Sequence, residues 1–213
     1  MAIDPSASFR SAIEQALPDA AISVDHWHLV RLANLTVTRV RQRVAREQLG
    51  HRGRTEDLAW AHRMLLLRAG DRLSDRALQR LDHVLLHDDP TGEIGTAWGV
   101  KERIRMLLAC RDLAAADHAR GLLGIAVLGT DMPETWRLWD TVNAWWDEIE
   151  TLITTRVTNA RTEAANTGIK HIKRTGRGYR NPDHYQTRIL LRSARRTRRR
   201  SPLNQQATTV NCG

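Results

Sequence analysis

Apolar positions along the chain follow two different patterns. Near the N-terminus they come in short runs that stop at an acid: Met1 to Ile3 ends in Asp4, and Ala20 to Val24 ends in Asp25. Between them, Arg10 to Leu17 is amphipathic, opened by Pro5-Ser6 and closed by Pro18-Asp19. The order predicts strand, helix, strand, with a carboxylate at the C-terminal end of each strand. Ligand sites in open α/β sheets lie at that edge. A strand as the first element is unusual, because Met1 to Asp4 then reads as a central strand with nothing before it. From Leu29 the period changes. Leu29, Leu32, Ala33, Leu35, Val37, Val40 and Val44 are spaced for one long helix. From His51 to about Glu150 no alternating pattern appears. Residues 56–69, 72–87, 93–117, 118–129 and 134–154 read as helices, punctuated by glycine- and proline-containing breaks. Trp60, Met64 and Leu67 form one stripe. Ile104, Leu107, Leu108 and Leu113 form another, and Trp136, Trp139, Val142, Trp145, Trp146 and Ile149 a third. Such stripes are expected in the core, with the tryptophans mainly buried. A tryptophan can also stack on an unpaired DNA base, but the sequence selects none of them.

The stretch Thr158 to Arg174 carries a different amphipathic pattern. At helical spacing Asn159, Glu163, Asn166, Thr167, Lys170 and Arg174 share one stripe. Val157, Ala164, Ala165, Gly168 and Ile172 lie opposite, a small-residue face able to approach a sheet or another helix closely. One carboxylate stands among amides and cations. Two readings fit: an ordinary solvated helix, or a metal-binding carboxylate facing a phosphate backbone. Asp25 and His28, three apart at a helix start, also allow two readings. Asp25 caps the helix while His28 bonds nearby, or the pair supports a metal. Gly176-Arg177-Gly178 lacks the strand-to-helix setting of a phosphate loop and reads as a helix end with a basic turn. Tyr185 to Leu191 reads as a final helix packed on the core.

Charge sharpens this picture. The net charge is +9, but residues 151–213 hold 14 Lys and Arg against 2 Asp and Glu, and the first 150 residues hold 19 against 22. The C-terminal part is therefore +12 and the rest −3, which points to an anionic partner, most often nucleic acid. Cys110 and Cys212 form no zinc or disulfide pattern and suit a reducing cytoplasm. No signal peptide is evident, and the longest apolar run, Leu122 to Leu128, is too short to span a membrane. Residues 192–213 are expected to be a basic, disordered tail.

Four pieces together resemble the C-terminal part of a DDE-type insertion-sequence transposase of the ISL-three family. They are Ala2-Ile3-Asp4 with Ser8 to Ile13 and Pro18-Asp19-Ala20; Val24-Asp25-His26-Trp27-His28-Leu29-Val30 with Asn34; Ala97 to Glu102 with Arg105; and Thr158-Asn159, Glu163, Asn166, Ile169-Lys170, Ile172 to Arg174 and Gly178 to Asn181. Order and spacing agree across residues 1–191. Ala160 and Ala164 depart from the pattern, standing where the family tends to have glycine.

The resemblance implies an α/β fold, mostly α here: a partial RNase H-like catalytic core interrupted by an all-helical insertion. Residues 1–49 and 151–191 would be core and residues 50–150 the insertion. It implies three acids that bind two Mg2+ ions for phosphodiester hydrolysis and strand transfer. Asp4 matches the second acid and Glu163 the third, as catalytic residues and metal ligands. Asp25 and His28 match a supporting acid-x-x-His pair, and whether Asp4 or Asp25 is the true second acid stays open. Asn159, Asn166, Lys170, Lys173, Arg174, Arg177 and Arg180 would contact DNA. The first acid, with zinc-binding and helix-turn-helix segments, is expected before Met1, so the chain reads as a truncated fragment inactive alone. The alternative is a non-catalytic DNA-binding or oligomerisation remnant. Expected partners are DNA, as transposon ends and target, and a second copy or full-length transposase, in the cytoplasm at the nucleoid.

Overall fold

The computed structural model describes residues 1–200, with residues 160–162 and 196–200 described as backbone only. The chain divides into two compact units, one ending at Thr158 and the other beginning at Asn159.

In the first unit, β1 (Ala2–Ile3) and β2 (Ser23–Val24) pair in parallel, Ala2 with Ser23 and Ile3 with Val24. The ladder includes Ser23 N–H donating to Met1 O at 2.7 Å and Asp25 N–H to Ile3 O at 2.8 Å. Parallel strands need a crossover, and α1 (Ala7–Ala16) supplies it. Because Ile3 and Val24 are in register, Asp4 and Asp25 emerge side by side at the same sheet edge.

Helix α2 (His26–Leu49) is the spine of this unit, ended by Gly50 in the left-handed conformation. Its buried residues follow helical spacing: Leu29, Ala33, Val37, Val40 and Val44. The first part joins a core with Ile3, Val24, Val100, Ile104, Leu107, Leu123, Val142 and Ile149; the second joins another with Leu66, Leu81, Val84, Ile94 and Ala97. The surrounding helices are α3 (Leu58–Ala61), α4 (Arg63–Leu67), α5 (Asp75–Asp88), α6 (Glu93–Ala109), α7 (Leu113–Leu128), α8 (Pro133–Ala144) and α9 (Trp146–Thr155). Among them α6 makes the largest interface with α2, and α9 packs on β2.

Two polar devices hold these helices together. Arg43 on α2 donates to Glu93 Oε1 on α6 at 2.8 Å and to Glu134 Oε1 on α8 at 3.0 Å. Lys101 on α6 is 0% exposed; its Nζ donates to Leu66 O at 2.8 Å and Arg68 O at 2.6 Å, and meets Glu102 Oε1 at 2.6 Å. Burial lowers the Lys101 pKa, against the pull of Glu102.

Several sequence-predicted boundaries shift. Residues 56–69 hold two short helices, split at His62. The helix expected over 93–117 stops at Ala109, and α7 restarts at Leu113 because Asp112 caps it, accepting from Ala115 N–H at 2.8 Å. The helix expected over 134–154 breaks at Trp145. Trp145 and Trp146 are buried, while Trp60, Trp98, Trp136 and Trp139 are half-buried.

In the second unit, α10 (Ala160–Thr175) packs against α11 (Pro182–Arg200). The small-residue face meets this helix, with Gly168 and Ile172 buried and the Gly168 position close to Arg192. The disordered tail expected from residue 192 is corrected for residues 192–200, where the backbone continues α11. Arginine favours helix, so a basic run of this kind can extend one. The remainder of that expectation, residues 201–213, lies outside the described residues. Between the helices, Arg177 (φ 50°) and Gly178 (φ 93°) take left-handed conformations and form the basic turn.

Candidate active site

Two strand ends and one helix start build a small acid cluster in the first unit. Asp4 follows β1, Asp25 follows β2, and His28 lies in the first turn of α2. His28 Nδ1 is 3.1 Å from Asp25 Oδ2 and 3.2 Å from Asp4 Oδ1. The Asp25 side chain is 7% exposed and the Asp4 side chain 47%. Asp25 occupies the N-cap position of α2 but makes no side-chain capping bond. Its carboxylate turns to His28 instead, so the capping reading is corrected for the side chain and the hydrogen-bond reading of His28 holds. The start of a helix favours negative charge, and both carboxylates stand there.

One ring nitrogen carries at most one proton. Asp25 meets it in hydrogen-bonding geometry, whereas Asp4 Oδ1 is buried with no hydrogen-bond partner. A desolvated carboxylate oxygen left in this way is suited to a cation. Carboxylate oxygens are also the donors that magnesium prefers. Among the described residues, no group of three or more His, Cys, Asp or Glu side chains is arranged to hold a metal ion. Asp4 thus fits the implied ion in donor type, while the cluster by itself is short of a full ligand set.

The flanking residues are basic and aromatic. Trp27 meets the His28 ring edge-on, with centroids 4.8 Å apart at 87°. The Arg31 guanidinium lies over the Trp27 ring, 5.5 Å from its centroid. His26 counts as exposed, yet the protein around it desolvates its ring enough to lower its pKa; Arg105 and Arg156 add to that effect and Asp25 opposes it.

The remaining sequence-predicted residues stand in the second unit. Asn159 is half-buried at the N-cap of α10 and makes no side-chain capping bond. Glu163 lies in the first turn and is exposed, its N–H donating to Asn159 O at 2.9 Å. Asn166, Lys170, Lys173 and Arg174 along α10, and Arg177 and Arg180 after it, are all exposed. The structure adds Arg188, Arg192 and Arg195. Together with Tyr179 they line a cleft of about 280 Å³ between α10 and α11. The three arginines fall at i, i+4 and i+7, a helical spacing that runs from the expected final helix, which holds Arg188, into the expected tail, which holds Arg192 and Arg195.

A family model described as Transposase, of the DDE type and the ISL-three group, matches residues 1–189. Neither a curated protein nor a solved structure matches the chain. Among the described residues no helix is long and apolar enough to cross a membrane. The family implies a DNA substrate and, in general, a divalent metal. The family match takes in both strand-end acids, His28 and the Glu163 helix, and it covers well over half of the chain: the protein belongs to the ISL-three family of DDE transposases.

Proposed function

We propose that this chain acts in DNA transposition as a polynucleotidyl transferase, with Asp4 and Glu163 as two of the metal-binding carboxylates and Asp25 and His28 as their support. The observation that carries this reading is the convergence of Asp4 and Asp25, from the ends of two paired parallel strands, on His28. On this reading the strand pair belongs to an RNase H-like core and residues 50–150 are a helical insertion.

The two acids take different roles because their surroundings differ. Asp25 is buried and committed to His28, so it fixes the imidazole. Asp4 is half open and keeps an unpartnered oxygen beside that imidazole, which makes it the better metal ligand of the two. Two magnesium ions, when bound, supply activation of the attacking oxygen and stabilisation of the leaving oxygen. Asn159, Asn166, Lys170, Lys173, Arg174, Arg177 and Arg180 hold the strand through its phosphates, with Arg188, Arg192 and Arg195 extending that surface. Water first cuts at the transposon end, and the freed 3′ hydroxyl then attacks target DNA. On this reading Asp4 and Glu163 supply two of the three family acids. Cleavage by the chain alone is therefore expected to be slow, with a second copy or a full-length transposase as partner. A protein acting on chromosomal DNA in a bacterium works in the cytoplasm, at the nucleoid.

Manganese binding followed by electron paramagnetic resonance tests the assignment without relying on catalysis. Asp4→Asn and Glu163→Gln should each weaken binding, and Asp25→Asn should do so less. Unchanged manganese affinity in both Asp4→Asn and Glu163→Gln would remove the metal role from these residues. A cleavage assay on cognate transposon ends, with and without magnesium, then tests the reaction itself.

A further inference from the structure

Trp27 stands apart from the other six tryptophans. It is 57% exposed, while the rest are buried or half-buried. A bare indole presents a large apolar face to water, which folding alone does not favour. The position of this one is specific. Its ring contacts His28, and His28 contacts both Asp4 and Asp25. Arg31, one helical turn further along α2, places its guanidinium over the same indole. An aromatic face, a cation and a carboxylate cluster therefore lie within two side chains of one another.

Each of these groups has a matching part in a nucleotide. An indole face stacks on a base, and a guanidinium pairs with a phosphate. Two further cations, Arg105 and Arg156, lie near enough to act electrostatically on the neighbouring His26, against the larger opposing effect of Asp25. Building on the transposase reading above, we propose that Trp27 is a stacking platform for one unpaired nucleobase, holding the DNA strand beside the Asp4–Asp25–His28 cluster while Arg31 takes the adjoining phosphate. Every base has a π face, so the platform fixes where the strand lies without selecting its sequence. A base inside a duplex has no free face to offer, so the platform acts only on a strand that has been opened. Trp27 is thus a positioning residue for the strand, distinct from the cations of α10 that contact phosphates along either kind of DNA.

The test compares the full chain with its Trp27→Ala, Trp27→Phe and Arg31→Ala variants. Binding is measured by fluorescence anisotropy on a labelled single strand of about 12 nucleotides and on a blunt duplex. Trp27→Ala should lose roughly ten- to one-hundred-fold on the single strand and change little on the duplex. Trp27→Phe should retain most of the single-strand affinity, and Arg31→Ala should lower its salt slope by about 0.7. In acrylamide quenching, the single strand should protect an accessible indole in the native chain, and that protectable fraction should be missing from Trp27→Phe. Equal single-strand affinity of Trp27→Ala and the native chain, with salt-dependent duplex binding intact in both, overturns the platform and leaves the transposase reading standing. No DNA binding by the native chain overturns both. Should Trp27→Ala fail to fold by circular dichroism, the quenching result decides alone, and absence of protection overturns the platform.

Discussion

Replacing Arg43 by Ala should cost the first unit about 3 kcal/mol of stability. Arg43 holds three helices through two carboxylates on other elements, Glu93 at 2.8 Å and Glu134 at 3.0 Å, with a third bond to Glu47 on its own helix at 3.3 Å. Hydrogen bonds to charged groups contribute about 1.5–3 kcal/mol each when well placed. The Arg43 side chain is a quarter exposed, so the low end applies to the Glu93 and Glu134 bonds, and the exposed Glu47 pair adds only about 0.3–0.5 kcal/mol. The loss is real because the partners stay behind. Glu134 is buried, and its Oε2 already lacks a hydrogen-bond partner. Without Arg43 its charge is stranded next to that of Glu93. The assay is urea unfolding of the full chain, followed by helical circular dichroism. With a slope near 2 kcal/mol/M, the midpoint should fall by about 1.5 M. The pH dependence provides an internal check. The bond from Arg43 is the main cause that holds the Glu93 pKa below its ordinary value of 4.5. The stability it contributes is present above that value and lost as pH falls through the lowered one. The penalty of Arg43→Ala should therefore shrink in acid, and Arg43→Met combined with Glu93→Gln and Glu134→Gln should recover most of the stability. A penalty under about 0.5 kcal/mol, unchanged by acid, would refute the clasp.

Three further outcomes are expected. Lys101→Met should destabilise by about 2–4 kcal/mol, since the buried Leu66 carbonyl and the partly buried Arg68 carbonyl lose their donor. Because the folded pKa of Lys101 is depressed, the unfolded chain holds the proton longer. Its contribution should therefore make native stability rise with pH in the window below 10.5, a rise absent from Lys101→Met in pH-dependent unfolding. Gly53→Ala should cost about 1–3 kcal/mol in thermal unfolding: the position has φ +111°, and an added Cβ would fall 2.7 Å from Trp60 Cδ1. Duplex DNA affinity should fall steeply with salt, and replacing Lys170, Lys173 and Arg174 together should reduce the slope by up to about 2.7; an unchanged slope would rule out their phosphate contacts.

The elements that sequence reveals best here are those whose pattern is enforced along their whole length. Helix α2 shows through because Leu29, Ala33, Val37, Val40 and Val44 each face a core, and a stripe that long has no other explanation. The two strands show through for another reason: each is a brief apolar run cut off by an acid, and pairing then places Asp4 and Asp25 in register. The helix breaks at Cys110 and at Trp145 were hidden. Leu107, Leu108 and Leu113 continue an apolar spacing across the first break, and only the cap at Asp112 marks it. Across the second, Val142, Trp145, Trp146 and Ile149 keep a helical period although the backbone leaves the helix at Trp145. A hydrophobic period records which residues face inward, and chain direction can change without disturbing it.

The acid cluster was legible as a set of residues, but the different surroundings of its two acids were not. Spacing alone put Asp25 and His28 on one face and allowed either a helix cap or a supporting pair. What separates Asp25 from Asp4 is burial, together with the hydrogen-bonding geometry that Asp25 has with His28 Nδ1 and Asp4 lacks, and neither is written in the local sequence. Asp25 follows β2, and α9, more than a hundred residues away, packs over that strand. Exposure separates the tryptophans in the same way, and it too is decided by the fold. Trp60, Trp98, Trp136, Trp139, Trp145 and Trp146 are buried or half-buried, whereas Trp27 lies exposed in the first turn of α2. Sequence offers seven indoles of equal chemical promise, and folding withdraws six of them wholly or in part. The one that remains stands against His28, and through it against both strand-end acids. On the reading proposed above, an aromatic face for an unpaired base then stands beside the acids assigned to metal binding.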